Sequence, residues 1–486
     1  MRKQLLGFAI ALAILIIAVS TWVVWKSFTN EESRENPVAE IMKTEGFEEF
    51  EEITETTEYS KTDSQITEDE SLEEFVEAGK QFLAENEPEK AANEFAVVAT
   101  KNPAEIAPLI LLAESQIRLG EFEKAQENLE SVEKLDATNP DVFILKGMIF
   151  LREEKFEEAK TEFGKAGKDG KFWQGVMQAF FDEPEEAKKL LAESDDERSD
   201  EVLKAFSEYE SFPDSPKTHL DTLLTRSFIA IEEYELALAK IGPVLEDDAD
   251  YRDAWLLTGY AQFAKKNFEV AKQSWETAFA LDSGKAETQY FLGLVNFELK
   301  DFAEAEKFLL LAKENGVKTK DVETKLIETY LGQGKYRAAA DLLAKEIAKS
   351  QEVSPEDFVK PISLYLEKLR DGRNAWNLAN LAKQRFPKNA FAYNLAGWVS
   401  LSNGYLSEAR RQLEKSIELN PQLPWPYFNL GKYFEKMEDP ISAMAAYRKA
   451  FELDSENKVG IIAAQNYNRL LDKINSTAKP SSTENE

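Results

Sequence analysis

The sequence predicts an all-α fold: a solenoid of stacked helical hairpins, preceded by one transmembrane helix. Three observations predict it. Small and large apolar residues recur at a fixed period, with Gly397 and Gly431 34 positions apart and Ala409 and Ala443 likewise. Within each period, two apolar stretches of helical spacing flank a polar turn. The abundant residues are Ala, Leu, Glu and Lys, which favour helix, and Val, Ile and Thr do not alternate as they would in strands.

The elements follow in chain order. Residues 1–4 form a short tail carrying Arg2 and Lys3. Residues 5–25 contain no charged side chain, and at about 1.5 Å per residue a helix of that length spans a bilayer core. Trp22 and Trp25 stand at its outer end, where interfacial aromatics belong. The basic N-terminus favours a signal-anchor orientation, with the N-terminus cytoplasmic and the solenoid on the outer (periplasmic or extracytoplasmic) side. The competing reading is a cleaved signal peptide, with Ala18-Val19-Ser20 as the cleavage site. The apolar run continues through Trp25, which favours the uncleaved anchor.

Residues 26–70 read as an acidic disordered linker, with Glu48, Glu49, Glu51, Glu52, Glu55 and Glu58 crowding one stretch. Such a segment buries too little apolar surface to offset its ordering entropy. As a flexible coil it reaches roughly 35–40 Å on average. Within it Phe47, Phe50 and Ile53 recur three apart, with Ile41 and Met42 upstream. That spacing gives either a transient helical turn or a short docking helix that occupies the protein's own groove.

Residues 71–170 and 218–457 form two repeat blocks. The first holds Phe75, Gly79, Ala91 and Phe95, then Ala113, Gly120 and Ala125, then Gly147, Ala159 and Phe163. The second holds Gly259, Ala271 and Trp275, then Gly293 and Ala305, then Gly334 and Ala339, then Ala375 and Pro387, before the two C-terminal units. Small residues mark helix crossings, large ones fill the space beside them, and prolines such as Pro103, Pro387 and Pro421 follow a helix they cannot continue. About nine units are legible. Between the blocks, residues 171–217 read as divergent helical hairpins where the solenoid bends or splits. Residues 458–474 read as a capping helix and 475–486 as a disordered tail.

This period and its small–large pattern resemble the tetratricopeptide-repeat family, and the single N-terminal anchor resembles membrane-anchored bacterial-type members. The resemblance implies a right-handed α-solenoid, a curved stack whose first helices line a concave face, where family members take up an extended peptide or a helix. The lysine and asparagine clamp that some members use on a C-terminal carboxylate is not seen here. The aligned positions carry Leu256, Tyr260, Phe263, Tyr290, Leu294 and Phe297 in one block. In the C-terminal block they carry Phe391, Asn394, Trp398, Leu401, Trp425 and Phe428, flanked by Lys432. Aromatics of this kind anchor interfaces, and they also pack between adjacent repeats.

No catalytic constellation is legible. There is no cysteine, and His219 is the one histidine, without a second ligand at metal spacing. Asp247, Asp248 and Asp250 lack the glycine and closing glutamate of a calcium loop. No glycine-rich phosphate loop occurs, and Gly120, Gly334 and Gly404 fall in repeat turns. A net charge of −31 repels a phosphate backbone, which argues against nucleic acid. The sequence therefore implies no cofactor, no metal and no small-molecule substrate. It implies a scaffold that holds protein partners of an envelope assembly, bound to the membrane through the N-terminal helix. The alternatives are a chaperone-like binder of exported or unassembled polypeptides and a regulatory subunit of a membrane-associated enzyme.

Overall fold

A computed structural model describes residues 72–478 except 213, 318, 319 and 456. The expected transmembrane helix, acidic linker and residues 479–486 of the tail lie outside the described residues. Among the described residues no helix is long and apolar enough to cross a membrane, and all regular structure is helical.

Helices alternate as first and second members of hairpins. The first three pairs are α1 (Leu72–Ala84) with α2 (Pro88–Lys101), α3 (Ile106–Leu119) with α4 (Phe122–Leu135), and α5 (Pro140–Arg152) with α6 (Phe156–Lys165). A short pair follows, α7 (Lys171–Phe180) with α8 (Pro184–Ala192), then an additional helix α9 (Ser199–Glu210). The series resumes with α10 (Lys217–Ala230) and α11 (Tyr234–Asp247), α12 (Arg252–Ala264) and α13 (Phe268–Leu281), and α14 (Ala286–Glu298) and α15 (Phe302–Glu314). Next come α16 (Lys320–Gly332) and α17 (Tyr336–Lys349). A 3-10 turn Glu356–Phe358, α18 (Val359–Ser363) and a π turn Leu364–Lys368 then run together as one first helix, paired with α19 (Gly372–Arg385). The last pairs are α20 (Ala390–Ser402) with α21 (Leu406–Leu419) and α22 (Pro424–Lys436) with α23 (Pro440–Leu453). They are followed by α24 (Lys458–Ala478).

The turn inside each hairpin is set by one residue in the left-handed backbone region. These residues are Asn86, Gly120, Glu154, Asp182, Glu232, Lys266, Lys300, Gly334, Arg370, Gly404 and Glu438. Most are 34 apart, which fixes the register. Three intervals depart from it: 28 from Glu154 to Asp182, 50 from Asp182 to Glu232, and 36 from Gly334 to Arg370. The short interval shrinks the α7–α8 pair, the long one accommodates α9, and the third is the π turn, where Leu369 N donates to Leu364 O. The turn between hairpins is closed by side chains. Asp136, Asp248, Asp282 and Asn420 each accept through Oδ1 from the backbone N–H two residues on, at 2.9–3.0 Å.

Within a hairpin the helices meet at a first-helix glycine. A Cβ on Gly79, Gly147, Gly259 or Gly431 would fall 2.2–2.6 Å from Phe95, Phe163, Trp275 or Tyr447, each sixteen residues on. Gly175 stands in the same relation to Leu191, so α7 and α8 form a true repeat hairpin despite their length.

The described residues divide into two compact units: one built on 72–301 with 311–317, the other on 302–310 with 318–478. The expected break at 171–217 is not where the division falls. In the first unit one hydrophobic cluster runs from Leu151 to Ala261 through Phe172, Trp173, Val176, Leu191, Phe206 and Leu224, so the divergent stretch is knitted into its neighbours. Two buried ion networks reinforce it. Arg152 at the end of α5 binds Glu233 at 2.7 Å and Glu235 at 2.9 Å, and Lys265 reaches Glu235 at 3.1 Å. Lys240 on α11 lies 2.5 Å from Asp182 and 3.0 Å from Asp221, and donates to Phe180 O.

Candidate functional site

In the second unit the first helices α20 and α22 are joined by two side-chain bonds, each between residues 35 apart. Asn429 Nδ2 donates to Asn394 Oδ1 at 2.9 Å with both residues buried, and Lys436 Nζ donates to Leu401 O at 2.9 Å. Asn394 therefore joins α20 to α22 and is not offered to a ligand. Phe391, Leu401 and Phe428 are buried as well: Phe391 in the cluster around Leu395 and Val399, Leu401 with Ala409 and Tyr433, and Phe428 against Tyr447 and Ala463.

What remains accessible is narrower than the sequence implies. Trp398 and Trp425 are half-buried, each resting on the cluster that contains Phe391, and Trp425 meets Phe428 edge-on at 6.2 Å. Lys432 stays open to solvent, with its ammonium 4.7 Å from the Phe428 ring centre. Desolvation lowers its pKa, while Glu367 and Glu435 pull the other way. Glu435 is already engaged by Arg469 and by the Tyr447 hydroxyl, which donates to it.

In the first unit Leu256 is buried beside Trp275, whose Nε1 donates to Leu256 O at 3.1 Å. Phe263 packs on Phe268 and Trp275, with centroids 5.3 and 5.5 Å apart. Tyr260 meets Phe291 edge-on, and burial, aided by Glu232, pushes its hydroxyl up to about 12. Tyr290, Leu294 and Phe297 are half-buried on α14, with Tyr290 against Phe291. These side chains hold the repeats together more than they present a surface.

Among the described residues no cluster of three or more His, Asp or Glu could hold a metal ion. His219 sits between the rings of Tyr209 and Phe212, both 6.2 Å away, and burial lowers its pKa, with Arg226 adding to the effect. Asp248 closes its interhelical turn by accepting from Asp250 N. The sequence reading missed Lys436, Glu367 and the pairing of Asn394 with Asn429. Only the 35-residue spacing of the two asparagines could have signalled that last contact.

The alternation of hairpins and the helix-crossing glycines define a helical-hairpin repeat protein. The tetratricopeptide-repeat family matches at residues 82–149, 266–316, 392–423 and 426–457. These stretches are tetratricopeptide repeats, and proteins that carry such repeats mediate protein–protein interactions. Similar solved structures include YrrB, described as a TPR protein with an unusual peptide-binding site (16% identity, 46% of this chain and 97% of that one, TM-score 0.24). They also include yeast Tom70 (15% identity, 84% and 97%, TM-score 0.28) and the C-terminal part of a TPR repeat-containing protein from Cytophaga hutchinsonii (14%, 50% and 98%, TM-score 0.39). A search of curated proteins gives no match.

Proposed function

We propose that this protein is a membrane-held adaptor that takes up a peptide segment of a partner on the first-helix face of its C-terminal repeats. The observation that carries the proposal is the trio Trp398, Trp425 and Lys432: two half-buried indoles and a partly desolvated cation above a layer of fully buried residues. Rigid aromatic groups beside a charge are the groups that dominate binding energy at interfaces. The apolar N-terminal segment 5–25 supports attachment to a membrane, and the basic residues before it favour a solenoid outside the cytoplasm. Holding the adaptor in two dimensions strengthens weak contacts through local concentration, which suits an assembly of the cell envelope.

A display library of unstructured peptides against the full chain in detergent tests the site. Trp398→Ala with Lys432→Glu is expected to abolish capture while the melting temperature stays near that of the wild type. Phe428→Ala is the control for a core defect and lowers the melting temperature. Undiminished capture by the double variant sinks the site. Protease added to sealed cells tests the sidedness: cleavage of the solenoid from outside is the expected result.

A further inference from the structure

The three most exposed large apolar side chains among the described residues are Ile441, Tyr405 and Met437, at 69, 59 and 50%. All three stand at the turns inside the last two hairpins, α20–α21 and α22–α23. Trp376, also exposed, lies one helical turn into α19, beside the preceding turn. These turns are stacked: Asn403 Nδ2 donates to Gly372 O at 3.0 Å, and Lys436 Nζ to Leu401 O at 2.9 Å. An edge that is both apolar and continuous is the sort of surface proteins seldom leave uncovered.

The edge carries cations that no carboxylate among the described residues pairs, in a chain that is strongly acidic as a whole. Arg370, Arg373 and Lys436 are exposed, and neither arginine makes an ion pair among the described residues. The nearby acids are mostly engaged, Asp371 by Arg337 and Asp439 by Ser442 N, while Glu438 is free in the solvent. Residues 318–478 carry 24 Lys and Arg against 20 Asp and Glu, in a protein whose net charge is −31. The acid is concentrated elsewhere. Residues 40–58 hold eight Asp or Glu against one lysine, Lys43, interleaved with Ile41, Met42, Phe47, Phe50 and Ile53.

We propose that the edge formed by Trp376, Tyr405, Met437 and Ile441 is the docking site for the chain's own segment 40–58. The complementarity is twofold. The apolar side chains of the segment cover the exposed aromatic and aliphatic groups, and its carboxylates face Arg370, Arg373 and Lys436. Attachment to the same chain raises its local concentration above that of a free acidic peptide. This surface is distinct from the first-helix face, so the two proposals stand or fall separately.

The test places a photoreactive benzoylphenylalanine at Trp376 in the full chain, in detergent, with 15N-labelled and unlabelled protein mixed in equal amounts. The expected result is an adduct between position 376 and residues 40–58 of the same chain, by mass spectrometry. It is expected to be lost in Phe47→Ala with Phe50→Ala and in Arg370→Glu with Arg373→Glu. The phenylalanine pair lies outside the described fold, so it carries the test even if the arginine variant unfolds. Adducts joining labelled to unlabelled chains would mean that a second copy occupies the edge. Either that result, adducts at other segments, no adduct, or adducts that survive the phenylalanine variant would overturn the proposal.

Discussion

Arg152→Met is the most informative perturbation of the fold. The guanidinium bridges Glu233 and Glu235 from 81 and 83 residues away in sequence, and Glu233 is 3% exposed. Burial raises the pKa of Glu233 above its ordinary 4.5, with Arg152 opposing the rise. Without Arg152 the cheapest response of the buried carboxylate is to take up a proton. At about 1.36 kcal/mol per pKa unit, holding a group of ordinary value 4.5 neutral at pH 7 costs about 3.4 kcal/mol, of which the wild type already bears the part set by its own raised value. Lost hydrogen bonds add to this, so a total of about 3–5 kcal/mol is expected, as for other broken buried pairs. The pH dependence follows from the sign. A carboxyl with a raised folded pKa binds a proton in the folded state that the unfolded state releases. Stability is therefore lost as pH rises from 4.5 through the folded value, and the protonation part of the deficit shrinks to no more than about 0.7 kcal/mol at pH 5. Native-state hydrogen exchange of α5 and α11 reads this locally, without assuming that a repeat protein unfolds in one step. Arg152→Met with Glu233→Gln should recover most of the loss, since Lys265 still holds Glu235. A deficit below about 1 kcal/mol at pH 7 would refute the reasoning, as would a double variant no better than the single.

Other outcomes follow from the same geometry. Lys240→Met should destabilise the first unit by about 3 kcal/mol in urea unfolding, the low end for a buried pair because Lys217 still reaches both Asp182 and Asp221. Burial raises the Asp182 carboxyl, but hydrogen bonds from Lys217 and Lys240 outweigh it and hold the net value below the ordinary 3.8. That stabilisation is present above pH 3.8 and lost as pH falls through the lower folded value, so Lys240→Met should flatten the acid limb of the stability profile. Gly259→Ala puts a Cβ 2.2 Å from the buried Trp275 Nε1 and should cost about 3 kcal/mol in thermal unfolding. Gly404→Ala meets nothing within 4 Å but forces a φ of +80°, so about 1–2 kcal/mol of backbone strain is expected.

The sequence alone determined the helical hairpin and its period. A glycine sixteen residues before an aromatic, and a left-handed glycine at 120, 334 or 404, are local requirements of two helices in contact, and local requirements are written in adjacent residues. The remaining hairpin turns put Asn, Asp, Glu, Lys or Arg in the same backbone region, which composition does not mark. That is why the short α7–α8 pair, flagged only by Gly175 and Leu191, looked irregular. Tertiary structure decided which first-helix side chains are buried and which stay open. Phe391, Trp398 and Phe428 occupy equivalent helical faces, and only the approach of the next helix separates a core ring from an accessible one. It also decided that α5 meets α11. Partners 81 residues apart leave no periodic trace, because the contact depends on how much chain the shortened and lengthened repeats between them take up.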